Sequence, residues 1–135
     1  MSDIITVIKD LEGLVSMRGV SKESVAVAEK RLGLSFATDY AAYLEQYGLI
    51  SAMHIEITGL AEAKRLNVVD VTLAERQRER LPTDMYVIED TGIEGILILQ
   101  NGNGEIFEFR GQEHLKKIYD CLAEYLVSKT EDDGA

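Results

Sequence analysis

Histidine and cysteine are scarce in this sequence of 135 residues: it holds His54, His114 and Cys121 only. The two histidines are far apart and form no HxxxH or HExxH step, so they do not present two imidazoles on one helix face to a metal. A single cysteine excludes an internal disulfide and any multi-cysteine metal site. Cys121 lies between Ile118 and Leu122 and reads as a small apolar core residue on a helix flank. His54 reads as a surface residue on a strand. Two acidic pairs, Glu89-Asp90 and Glu105/Glu108, have the composition of a general acid–base couple. Carboxylates number 24 here, however, so two close together carry no signal. Asn101 to Glu105 resembles the start of a calcium loop but lacks the twelve-residue spacing and the distal glutamate, and a hairpin explains it better. No GxSxG, GxxxxGK or GxGxxG step occurs. The expectation is a protein with no catalytic, cofactor-binding or metal-binding residues.

Charge is more informative. With 14 basic and 24 acidic residues the chain carries a net charge of −10 and a pI near 4.6. Such a surface repels phosphate backbones and anionic membranes and attracts basic proteins. The charge is also segregated. Asp84, Glu89, Asp90, Glu94, Glu105 and Glu108 occur between positions 84 and 108 without one lysine or arginine. These six are the candidate partner-binding residues, weighed evenly against a merely solvating acidic surface. Residues 61–81 are nearly balanced by Lys64, Arg65, Arg76, Arg78 and Arg80. No apolar run approaches the length of a membrane span, and the N-terminus lacks a secretory pattern, which places the chain in the cytoplasm.

The elements that must position these carboxylates follow from periodicity. Ser2 is expected to cap a first helix carrying Ile4, Ile8, Leu11 and Val15. Ser21 to Gly33 is a second helix with Val25, Ala28 and Leu32 on its inner face. Thr38 is expected to cap a third, whose Tyr40, Tyr43, Leu44 and Tyr47 form a core stripe. Met53 to Ile57 alternates as one half-buried strand. In 61–81, Val68, Val69 and Val71 favour a strand and Leu73 to Arg80 a short helix. Met85 to Glu89 is a strand, and Ile96 to Leu99 is a central strand covered on both faces. Asn101-Gly102-Asn103-Gly104 predicts a hairpin leading to a strand over Glu105 to Arg110. Leu115, Ile118, Leu122 and Tyr125 predict a closing helix. The fold class is α+β: N-terminal helices, a central antiparallel sheet with a hairpin, and a C-terminal helix packed on it. Residues 1–128 form one domain, with 129–135 a polar tail.

Three stretches, in this order, resemble the SUKH superfamily of fungal cell-wall assembly regulators and bacterial immunity proteins. They are Ala28-Glu29-Lys30-Arg31-Leu32-Gly33-Leu34 with Asp39-Tyr40, Tyr43-Leu44 and Tyr47-Gly48; then Leu81-Pro82 to Gln100; then Gly104 to Glu108 with Ile118 to Leu126. Phe36-Ala37 stands where the family commonly has a proline before its Asp-Tyr step. The resemblance implies an α+β fold without enzymatic activity. It also implies a role in which many bacterial members bind and neutralise a toxin domain, often a nuclease. A nuclease surface is basic because it grips phosphates, so an acidic protein can dock on it. The leading expectation is therefore an immunity protein with a basic toxin as partner. The alternatives are a cytosolic regulatory or scaffold module without a toxin partner, and a small enzyme with an unrecognised site.

Overall fold

A computed structural model describes residues 3–93, 95–111 and 114–133, the last three by their backbone alone. Its elements run α1 (Ile4–Lys9), β1 (Val15–Ser16), α2 (Lys22–Leu32), α3 (Thr38–Tyr47), β2 (Ile50–Ala52), β3 (Ile55–Ile57), a 3₁₀ turn (Lys64–Leu66), α4 (Val68–Glu79), β4 (Met85–Asp90), β5 (Leu97–Asn101), β6 (Ile106–Phe109), β7 (Leu115–Tyr119) and α5 (Leu122–Asp133). The α+β expectation holds, with two antiparallel sheets of order β1-β2-β3 and β4-β5-β6-β7.

The predicted first helix is shorter than its apolar spacing suggests. Asp3 caps it by accepting from the Ile5 amide, and Ser2 lies outside the described residues. Ile4 and Ile8 are buried as expected, but Gly13 turns with φ +72° and Val15 becomes strand β1 against Ser51. The second helix is capped by the Ser21 side chain and stops at Gly33, as its sequence predicts. The third begins at Thr38, but its cap position is Ala37, with no side-chain cap. The Tyr86 hydroxyl receives the Ala37 amide there instead, a donor–acceptor pair that local sequence cannot reveal.

Two strands replace the single one expected at Met53 to Ile57. Ile50 pairs with Ile57 and Ala52 with Ile55, so Met53 and His54 form the turn. His54 takes φ +62°, in a region where histidine is enriched among non-glycine residues. The valines at 68, 69 and 71 lie in helix α4 rather than a strand. Asn67 caps it by accepting from the Val69 and Asp70 amides, and burial of Val68 and Val69 outweighs their β preference.

Strand β5 lies between β4 and β6, and all five of its residues are buried. One sheet face carries Tyr86, Ile88, Ile98 and Ile106 into a large core shared with α3 and α5. The other carries Val87, Leu97, Leu99 and Phe109 against Leu81 and Val71. The Asn101 to Gly104 hairpin is present. Its Asn101 carboxamide oxygen accepts from the Asn103 and Glu105 amides at 3.1 and 3.0 Å. Leu115 to Tyr119 is the edge strand β7, not the start of the closing helix. Helix α5 begins at Leu122 because the Asp39 carboxylate accepts its amide at 2.9 Å, from 83 residues away in sequence. Cys121 therefore precedes the helix and is half-buried rather than sunk in the core. The helix continues through the expected tail to Asp133.

Candidate functional site

The six candidate carboxylates do not form one surface. Asp84 and Asp90 are exposed at the two ends of β4, and the Asp90 side chain accepts from the Gly92 amide at 3.0 Å. Glu94 lies outside the described residues. Glu105 immediately precedes β6 and Glu108 lies within it, and both are half-buried. Basic side chains reach both. Glu105 accepts from the Asn101 carboxamide and meets the Lys117 ammonium at 2.9 Å. Glu108 lies 2.9 Å from the His114 imidazole and 3.3 Å from the Arg110 guanidinium.

The Asn101 hydrogen bond, then Lys117, holds the Glu105 carboxyl below its usual range, and the hydrogen bond to His114 does the same for Glu108. Asp120, at 2.7 Å, and Glu105 in turn raise the Lys117 ammonium. The cation-free run in sequence is thus partly neutralised in space, because β7 brings Lys117 alongside β6.

Glu89 is the largest departure from the sequence reading, being only 4% exposed. Its carboxylate accepts from the Glu56 amide at 3.0 Å and from the Tyr125 hydroxyl, and it meets the Lys129 ammonium at 3.2 Å. The ammonium also sits 5.5 Å above the Tyr125 ring. Burial, then the Glu89 charge, pushes the Tyr125 hydroxyl up. This carboxylate ties β4 to β3 and α5 and offers no free face to a partner. Tyr125 and Lys129 lie four residues apart on one side of α5; that spacing is the only sequence signal of the cluster.

The motif residues of α3 also act on the fold. Tyr40 and Tyr43 are fully buried and hydrogen-bond to Thr58, whose own hydroxyl donates to the Val87 carbonyl at 2.8 Å. Asp39 accepts from Gln100 at 3.0 Å besides the Leu122 amide, and Tyr86 donates to Gln100 at 2.5 Å. The Asp39-Tyr40 step thus fastens α3 to both sheets and to α5. Among the described residues, no group of three or more His, Cys, Asp or Glu side chains converges as metal ligands would.

A family model described as SMI1-KNR4 cell-wall, SUKH_5, matches residues 1–131. The chain belongs to the SUKH superfamily. No curated protein matches it. The match extends over α1 and β1, ahead of the motifs quoted above, and through nearly all of α5. In this SUKH domain Asp39 and Tyr40 serve the scaffold. Asp84 and Asp90 lie in solvent, and Glu105 and Glu108 remain partly exposed.

Proposed function

We propose that this SUKH domain is a non-catalytic protein-binding module: a bacterial immunity protein that acts in the cytoplasm by binding and neutralising a basic toxin domain. The observation that carries the reading is a net charge of −10 on a member of this family, with Asp84 and Asp90 exposed and without an ion pair among the described residues. A nuclease or other basic toxin would be steered onto such a surface, and the occupied surface would block its substrate. A regulatory module without a toxin partner is the second reading, favoured by the cell-wall description of the matching family.

The test uses the toxin domain encoded beside the chain's own gene. Reversal of Asp84 and Asp90 to lysine is expected to slow association about tenfold at low salt, with the chain still folded and its melting temperature lowered only by the loss of the Asp90–Gly92 hydrogen bond. Absence of binding by the unmodified chain would overturn the immunity reading. Binding that is insensitive to the reversal would remove these two carboxylates from the contact.

A further inference from the structure

Three of the six exposed large apolar side chains among the described residues, Val15 at 65%, Met17 at 56% and Val27 at 59%, line two adjoining hollows. The hollows measure about 720 and 250 Å³ and share Met17, Leu49 and Leu66, so they form one groove. One wall is α2, which presents Ser24, Val27, Ala28 and Arg31 at helical spacing. The opposite wall is the loop and 3₁₀ turn from Leu60 to Leu66, and β1 lies along the smaller hollow. The core-facing side of α2 is the Val25, Ala28 and Leu32 stripe, so Val27 is an apolar residue outside the stripe that folding requires.

The rim is charged. Glu23 on α2 and Glu62 on the facing loop are exposed, and neither has an ion pair among the described residues. Among the described residues Arg31 is the one groove cation in the same condition, whereas Arg65 is occupied by Glu56 at 3.1 Å. Apolar exposure gathered in a single hollow, rather than scattered singly, marks an interaction surface.

We propose that this groove docks a segment of a basic partner protein. Its apolar side chains seat against Met17, Val27 and Leu49, and a lysine or arginine reaches Glu23 and Glu62. Charge decides the occupant. Glu23 and Glu62 outnumber Arg31 on the rim, and on a chain of net charge −10 they attract a cationic segment, while the same net charge opposes a second copy of the chain. The inference rests on the protein-binding reading above and names where, and by what chemistry, the partner is held.

The experiment selects displayed random dodecapeptides on the full chain, with the Val27→Glu protein as counter-selection. Val27 is exposed on a helix surface, so this variant should fold, and its melting curve checks that. The expected result is enrichment of peptides that combine apolar residues with lysine or arginine. They should bind the unmodified chain at least about tenfold more tightly than either Val27→Glu or the Glu23→Lys/Glu62→Lys double variant. No groove-dependent peptide, preference for acidic peptides, or a solution dimer that Val27→Glu dissociates would each overturn the proposal.

The same variants are then measured against the neighbouring toxin domain. A toxin bound equally by all of them would overturn the groove and leave the immunity reading standing. Groove-dependent peptides together with no toxin binding would do the reverse.

Discussion

Glu89 carries a negative charge into the junction of β4, β3 and α5, and three separate donors compensate it there. Removing the carboxylate strands the Lys129 ammonium and the Glu56 amide together, and a buried group deprived of its partner costs more than the bond itself was worth. Glu89→Ala is therefore expected to lower stability by about 3 kcal/mol in urea unfolding. Glu89→Gln, which still accepts hydrogen bonds, should cost about half of that.

The tyrosines make a second expectation. Burial raises the hydroxyls of Tyr40, Tyr43, Tyr86 and Tyr125 above their ordinary value of 10. The unfolded chain then loses these protons first. Stability is complete below about pH 10 and falls as pH rises further, by about 1.4 kcal/mol per pH unit for each tyrosine. Denaturation midpoints between pH 9 and 11 measure it, and a flat profile would contradict the buried cluster.

At the scale of elements, the crossing of α3's C-terminal end with the chain leaving β3 depends on glycine. A Cβ on Gly59 would stand 2.0 Å from the Gly48 carbonyl oxygen, a backbone atom that cannot rotate away. The Leu60 amide donates to that same carbonyl at 3.0 Å, so relief of the clash would also break a hydrogen bond. Gly59→Ala should destabilise the domain by more than about 3 kcal/mol, the range reached by overpacking combined with a broken backbone contact. A calorimetric melting temperature lowered by only a degree or two would refute the close crossing.

The elements on either side explain one correction and the junction of the two sheets. Helix α4 forms from a valine-rich segment because Asn67 caps it and also donates to the Ala61 carbonyl at 2.8 Å, fastening the preceding loop. Strand β4 carries a bulge between Val87 and Glu89. Two threonines serve its outer edge: Thr72 receives the Val87 amide and Thr58 donates to the Val87 carbonyl. With the Thr58 amide on the Ile88 carbonyl at 2.8 Å, the two sheets meet at β3 and β4.

For the whole molecule, the net charge of −10 acts beyond any one contact. Fields from exposed carboxylates reach about 10 Å at 0.1 M salt and about 3 Å at 1 M. Association with a basic partner should consequently slow by about tenfold or more between 0.05 and 0.5 M salt, with a much smaller change in the dissociation rate. Stopped-flow mixing with the toxin domain proposed as partner measures both rates. A salt-independent association rate would show that recognition is apolar and owes nothing to the net charge.

Local pattern alone determined the α+β class, helix α2 with its caps, the tyrosine core stripe, the central β5 strand and the Asn101 to Gly104 hairpin. In each of these the signal lies within a few residues: an apolar period, a capping serine, or Asn-Gly steps that tolerate positive φ. The order of motifs also marked the family. The acidic run was legible as composition but not as a site. Tertiary structure put Glu89 inside, set Lys117 beside Glu105, and left Asp84 and Asp90 in solvent. It likewise decided that α5 starts at Leu122, because the group capping it is Asp39, 83 residues earlier. The groove beside α2 was invisible in sequence, since three separate segments build it. The physical reason is the same in every case: whether a side chain is paired, buried or exposed depends on groups that only folding brings within hydrogen-bonding or van der Waals distance.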